Sequence, residues 1–470
     1  MKRNLLIAIT VTAFMLATTI AQAADITFSG QFRPRFQIQE DANDATSPRE
    51  SFTTRVRLNA KANVNANTEV FLQFQSKGVW GNATANRNSA EVNDDNADVG
   101  LHQAYATFKN FMGAPANLKI GRQEVVLDGH RLFGHTGWLQ GAQTNDAIRL
   151  DHSAGNHDIN FIYIDAIENG GVAANSDRNS GLYVLRANTQ GVLGGNLTGY
   201  FVVADDDSDG ISENQWYTIG ARQKGKMAGL DYRVEFYHQF GDGAAGVADA
   251  GAELSGAYTN FVRATSDIDR DAQMFGLRVG KTFKNAKFSP TITLWFDSLT
   301  GTDDDNVAGN EMGTFNTLQD TGHKFYGLMD QYLASTGAAT NYYGLQDIAI
   351  KTKFKLSDVN TFKMDFHHFQ TQTDLEDGDS DTIRTNGAGI WGAANAAGSQ
   401  VGTGALDSDL GEEIDLTFIH KYDANTKIVA GYSHYWTNQT HSLVNASGGT
   451  VGNTADDDQD WMYVMIDTKF

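Results

Sequence analysis

Cysteine is absent from all 470 residues, and proline occurs only four times against 48 glycines. A chain without thiols is not a disulfide-stapled secreted domain, and it crosses an oxidising compartment with nothing to mispair. Proline removes a ladder hydrogen bond, so its scarcity leaves long strands uninterrupted, while glycine supplies the bends between them. That balance disfavours a helical solenoid. After residue 23 no stretch approaches the ~18 consecutive apolar residues that a membrane-spanning helix needs. There is no block of lysine or arginine, and the formal charge is −21, so nucleic acid is excluded as a partner. GxSxG and HExxH are also missing, and the strand pattern gathers no Ser/His/Asp set at one rim. Neither an enzyme nor a cofactor or metal protein is indicated.

What is present starts with an export signal. Lys2 and Arg3 form a charged lead, Leu5 to Ile20 an apolar stretch, and Ala21-Gln22-Ala23 a small-residue cleavage site. Residues 1–23 are therefore expected to be removed, leaving one domain over 24–470. A large exported chain without a spanning helix is either soluble or a β-barrel.

Alternation decides between them. In the last stretch Met462, Val464, Ile466 and Phe470 share one face with Thr468, and Tyr463, Met465, Asp467 and Lys469 share the other. A strand of this kind ending on phenylalanine looks like the closing strand of an outer-membrane barrel. The same period of two recurs near 26–38, 52–64, 67–77, 99–110, 117–127, 144–152, 157–166, 181–189, 195–204, 215–224, 229–240, 272–283, 286–299, 344–356, 360–372, 412–422, 425–437 and 459–470. The expectation is an all-β, transmembrane, antiparallel up-and-down barrel of eighteen strands. Sixteen is the alternative count, because the seventh and eighth strands alternate poorly. Short links (65–66, 153–156, 225–228, 284–285, 357–359, 423–424) alternate with long ones (78–98, 241–271, 300–343, 373–411, 438–458), as in barrels with tight periplasmic turns and long extracellular loops. In hydrocarbon every backbone polar group needs an internal partner, so such strands must close into a ring.

Orienting each strand by its apolar face turns the basic residues inward, since a charge facing lipid costs ~2–4 kcal/mol near the midplane. Arg33, Arg35, Arg55, Arg57, Lys61, Arg149, Arg222, Arg233, Arg278, Lys351, Lys353 and Lys355 then line the lumen. Arg122 and Arg186 share a parity with apolar residues but are also expected inside. Glu69, Asp231, Glu235, Asp297, Asp365 and Asp415 accompany them. Paired charges that only brace the wall are one reading. The other is an anion-attracting lumen, favoured because the first two strands bring five bases and no acid to one face. The negative charge sits elsewhere, at Asp205–Asp209, Asp303–Asp305, Asp374–Asp381 and Asp456–Asp458. Asp205, Asp207 and Asp209 imitate the start of an EF-hand, but position twelve is Trp216, so only weak divalent binding is expected there. Such acidic runs are usually just solvated.

Other motifs fail in context. Gly241 to Gly246 matches GxGxxG but lies in a loop of a strand-only pattern. His367 and His368 point to opposite faces of one strand and cannot share an ion, and His130 and His135 lack carboxylates at ligand spacing.

One segment is more specific: Gly121-Arg122-Gln123-Glu124, Asp128-Gly129-His130-Arg131-Leu132, Trp138-Leu139-Gln140, then Asp146-Ala147-Ile148-Arg149-Leu150. It resembles the segment that marks the alginate-export family of outer-membrane barrels, and the arginine pairs Arg33/Arg35 and Arg55/Arg57 resemble that family's opening strands. Asn145 stands where the family would place an aromatic. The resemblance implies an eighteen-stranded monomeric barrel passing an anionic polysaccharide, with Arg33, Arg35, Arg55, Arg57, Arg122, Arg131 and Arg149 along the path. Residues 128–143 form a glycine-rich loop that can fold into the lumen, anchored by Arg122 and Arg149 through Glu124, Asp128 or Asp146. The expected partners are outer-membrane lipid and lipopolysaccharide, with anionic polysaccharide or small anionic solutes as cargo. The alternative is a non-conducting barrel serving as an enzyme, adhesin or sheath.

Overall fold

The computed structural model describes residues 25–40, 48–80, 99–169, 178–206, 214–243, 268–309, 311–332, 340, 342–373, 408–438 and 458–470. The expected signal segment, Asp207, Asp209 and residues 244–246 of the GxGxxG match lie outside them.

Eighteen strands form one ring: β1 Asp25–Gln39, β2 Arg49–Asn63, β3 Thr68–Val79, β4 Val99–Phe108, β5 Ala116–Gln123, β6 Asn145–Ala154, β7 His157–Asn169, β8 Arg178–Val192 and β9 Gly195–Asp206. The second half continues with β10 Asn214–Met227, β11 Leu230–Gly243, β12 Ile268–Thr282, β13 Thr291–Leu299, β14 Leu345–Lys355, β15 Asn360–Gln370, β16 Asp409–Lys421, β17 Thr426–Trp436 and β18 Gln459–Lys469. Each pairs antiparallel with its sequence neighbours, and β1 pairs with β18 from Gln31↔Lys469 to Gln39↔Trp461, which closes the barrel. A two-residue segment, Glu311–Met312, lies parallel to β12 inside a loop and is not a spanning strand. The count of eighteen therefore stands.

Closure is finished at Phe470. Its backbone exchanges hydrogen bonds with Gly30 (2.6 and 3.1 Å), and its ring lies where a side chain on Gly30 would be, 2.4 Å from an ideal Cβ. Aromatic rings lie over glycine elsewhere too, Tyr237 on Gly220 and Tyr463 on Gly431, each from the cross-strand partner. Ring over glycine shields backbone and pins register.

The outward face is apolar. Phe28, Leu58, Ile148, Phe161, Leu185, Phe236, Leu294, Ile350, Met462 and Val464 are all more than a third exposed. Outward aromatics gather near the loop end, where Phe52 stacks on Trp80 at 4.0 Å and Tyr217 on Phe240 at 5.3 Å. Phe354 and Phe362 (6.3 Å) lie nearer the turn end. An apolar band between aromatic girdles is the outer surface of a membrane barrel.

Most expected boundaries shift by a few residues, and two strands are cut short for a visible reason. The strand expected over 286–299 begins at Thr291, because Phe288 and Ser289 take positive φ (65° and 42°) and extend the turn. The strand expected over 117–127 stops at Gln123, where the chain leaves the wall and turns inward.

Candidate functional site

Two long connections fold into the lumen, residues 124–144 between β5 and β6 and the described parts of the connection between β13 and β14, residues 300–309, 311–332, 340 and 342–344. They meet through a parallel bridge at Phe133 and Gln319, where Gly134 N donates to Gln319 O (2.7 Å) and Gln319 N to Leu132 O (3.0 Å). Around it Val125, Leu127, Leu132, Phe133, Phe315 and Phe325 pack with wall residues into an apolar cluster inside the barrel. Ile162, Ile164, Leu182, Val184 and Val202 therefore face inward and are fully buried. That explains the poor alternation of β7 and β8, since this part of the inner wall is dry. Burying such side chains contributes ~1.5–3 kcal/mol each.

The first two strands hold the first loop. Arg33 donates to the carbonyls of Gly137 (2.8 Å), Trp138 (2.9 Å) and Leu139 (3.0 Å), and to Gln140 Oε1 (2.9 Å). Arg35 donates to Trp138 O (3.2 Å) and lies over its ring at 4.4 Å. Arg55 reaches Leu139 O (3.1 Å) and Gly137 O (3.3 Å). Arg57 pairs with Glu124 (3.2 Å) beside His102 (2.9 Å), so the four arginines, each at least nine-tenths buried, form a clamp. At the other side Arg186 pairs with Asp128 at 2.6 Å, and Tyr200 also donates to that carboxylate. Burial would raise the Asp128 pKa, but Arg186 and Tyr200 hold it below the usual carboxylate range.

Arg122 is a correction. It extends outward with Ile120 and Ile148, half exposed, in a bidentate pair with Asp146 across β5 and β6 (2.7 and 3.0 Å). It neither lines the lumen nor anchors the loop. Arg149 does face inward but pairs with Asp151 (2.7 Å), so the anchoring falls to Arg33, Arg35, Arg55, Arg57 and Arg186.

A second basic group stands on β10 to β13 where the loops meet the wall. Arg131, from the loop, contacts Asp297 (2.5 Å), Glu235 (3.4 Å) and Tyr326 (2.5 Å) and lies over Phe325 at 3.8 Å. Burial disfavours its charge, but Asp297, Tyr326 and Glu235 outweigh that and hold it protonated. Arg278 contacts Glu235 (2.8 Å) and Asp297 (3.0 Å) and lies 3.2 Å from the Trp295 ring centre. Arg233 and Arg222 reach Glu235 at 3.5 and 3.6 Å. Four guanidiniums thus share two carboxylates. Nε of Arg222 and Nε and Nη2 of Arg233 are buried with no hydrogen-bond partner. Lys324 of the second loop joins them: burial first, then Arg233, Arg222 and Lys224, push its ammonium pKa down. Gly129 passes so close that a Cβ there would lie 2.9 Å from Arg233 Nη1.

The remaining expected residues face inward in smaller pairs. Lys61 meets Glu69 (2.9 Å), Lys351 meets Asp365 (3.7 Å) and the Trp295 ring (4.6 Å), and Lys353 stands opposite Lys363. The second loop is tied down by Glu413, which accepts Leu328 N (2.6 Å) and Met329 N (2.9 Å). Lys324 and Glu413 were not foreseen, because the loop that meets them reads in sequence as a solvated extracellular segment. Its aromatic content, Phe315, Phe325, Tyr326 and Tyr332, was the available signal.

An edgeless ring with an apolar exterior, a charged interior and inward loops is an outer-membrane β-barrel of the porin type. The chain belongs to the alginate export family, whose model matches residues 24–457. In fold it is similar to two solved Pseudomonas aeruginosa structures, OccK8 (TM-score 0.55, 12% identity, 95% of this chain and 98% of that one) and OccK2 in complex with glucuronate (0.51, 11%, 96% and 99%). Acinetobacter baumannii OccAB1 is similar too (0.55, 12%, 96% and 99%). No curated protein matches the chain by sequence. Family and fold identify an outer-membrane channel rather than an enzyme.

Proposed function

We propose that this channel is passive and anion-selective, and that its cargo is an anionic polysaccharide of the uronate type or small acids of like chemistry. The observation that carries the reading is the cation surplus on β10 to β13. Among the described residues Arg131, Arg222, Arg233 and Arg278 form their ion pairs with Glu235 and Asp297, with Lys324 close by, while Asp128, which also faces Arg222, is already paired with Arg186. In a confined, poorly screened lumen each uncompensated charge attracts carboxylates more strongly than at an open surface. Arg222 and Arg233 lean on Glu235 only at 3.6 and 3.5 Å, so much of their charge is left to act on a passing oxyanion. Arg33, Arg35 and Arg55 contribute less directly, because each already donates to carbonyls of the first loop. The family's description as alginate export and the glucuronate in one structural neighbour support this cargo class.

Reversal potentials across a planar bilayer under a salt gradient test the proposal. Anion preference is expected, weakened several-fold in the Arg222→Gln/Arg233→Gln double variant. Cation preference in the wild type overturns it, and negligible conductance favours a plugged barrel acting as a sheath or adhesin. We also propose that residues 1–23 are cleaved and that the barrel works as a monomer. N-terminal sequencing of the membrane form should begin at Ala24, and light scattering in detergent should give one chain per particle.

A further inference from the structure

We propose that His368, Asp409 and Glu412 form a binding site for a zinc-class divalent cation on the outer rim of the barrel. The three ligand atoms all lie within 4.8 Å of one another, with His368 Nδ1 3.2 Å from Glu412 Oε1 and 4.0 Å from Asp409 Oδ1. A tetrahedral ion with bonds of ~2.0–2.1 Å separates its ligand atoms by ~3.3–3.4 Å, so side-chain adjustments that shorten these separations by at most about 1.5 Å close the shell.

The backbone builds this cluster by breaking its own alternation. His367 faces inward and is fully buried, so His368 faces outward on β15. In an unbroken β16, Asp409 would share the inner face with Gly411 and Glu413. Instead the register slips, with Phe369 opposite Gly411 and Gln370 opposite Asp409, leaving Leu410 as the extra residue of a bulge. Gly411 permits it by adopting φ +109°. From inside, Tyr435 and Tyr332 donate hydroxyls to Leu410 O (2.5 and 3.4 Å) and hold the bulge. Asp409 is thereby turned outward beside Glu412, and Gly411 N fixes its Oδ1 at 2.9 Å. Re-aiming a side chain is a recognised use of bulges.

One imidazole nitrogen with two carboxylate oxygens suits Zn²⁺, whereas Ca²⁺ gathers six to eight oxygens and Mg²⁺ keeps an octahedral shell. The side chains are 30%, 39% and 37% exposed, so the outer coordination positions stay open to water or an external ligand. The ion would staple β15 to β16 at the rim. Conduction requires none of this, so the site stands or falls apart from the proposed cargo.

Zn²⁺ titrated calorimetrically into the full, folded chain in detergent micelles tests the site. One site is expected in the wild type, its affinity reduced at least about tenfold in both His368→Ala and Glu412→Gln. His434→Ala, beside Asp458 and Asp460, should leave it unchanged. All three side chains are outward and partly exposed, so the variants should fold, which unaltered far-ultraviolet dichroism verifies. Equal affinity in wild type and His368→Ala overturns the proposal, as does effective competition by a hundredfold excess of Ca²⁺.

Discussion

Replacing Arg33 tests whether the opening arginines filter ions or hold a loop. In Arg33→Ala the carbonyls of Gly137, Trp138 and Leu139 and the Gln140 side chain lose a guanidinium that reaches all four. Hydrogen bonds to a charged donor contribute ~1.5–3 kcal/mol each, but they are not additive and lumen water replaces part of them. Leaving a buried acceptor without its donor costs ~1–3 kcal/mol. The loop's open state should therefore gain about one to two powers of ten in population. Arg35 and Arg55 still hold Trp138 and Leu139, which places the effect at the lower end. Arg33→Lys keeps the charge but loses the planar fork, so it should resemble the alanine variant. The assay is single-channel recording in planar bilayers, with hydrogen exchange over residues 124–144. Both variants should show larger or noisier conductance and faster exchange in that loop. If the reversal potential shifts in Arg33→Ala, returns in Arg33→Lys, and conductance and exchange stay at wild-type values, Arg33 is a filter and the clamp is wrong.

Glu413→Ala should free residues 327–329 of the second loop at a cost of ~1–3 kcal/mol for each amide N–H left without its acceptor, seen as protease cutting there while β-strand dichroism persists. Gly431→Ala should lower the thermal unfolding midpoint, because a Cβ would lie 2.1 Å from Tyr463 Cε1; pairing it with Tyr463→Ala should recover part of the loss. Asp320 gives a pH test. Complete burial pushes its pKa up to about 7 against the pull of Arg131, so the folded chain holds a proton that the unfolded chain releases. The resulting stability is full below pH ~4 and lost as pH rises toward 7, on the order of a few kcal/mol. Chemical unfolding in micelles at several pH values should show that slope in the wild type and lack it in Asp320→Asn.

The strands were legible because the membrane writes a period of two onto the outer face, and Met462, Val464 and Ile466 follow it as expected. Legibility failed where the inner face is dry. Arg186 shares its parity with Leu182 and Val184, and all three point inward because a loop covers them. Arg122 also shares parity with apolar neighbours, but those face lipid, and there parity should have prevailed. Parity gave direction without giving partners. It could not say that Arg33 would meet carbonyls or that Arg222 would share the Glu235 carboxylate with three other arginines. Those facts depend on two inward loops: the glycines of 128–143 signalled the first, but no local pattern recorded its partners or the inward course of the second. The bulge at Leu410 was hidden for the same reason, since one extra residue reverses a face without changing composition.

The seam between β1 and β18 has a kinetic consequence. Gln31 and Asp467, bonded across it, are 436 residues apart. Every other wall pairing joins neighbouring hairpins and can form early, but this one waits for the whole sheet to curl. Contacts so distant carry the largest loop-closure entropy and form slowly. Until then β1 keeps an open row of donors and acceptors, able to capture a strand from another copy. The Phe470 ring over Gly30 completes the seam. Phe470→Ala should therefore slow assembly and raise aggregation far more than it lowers the stability of barrels already closed.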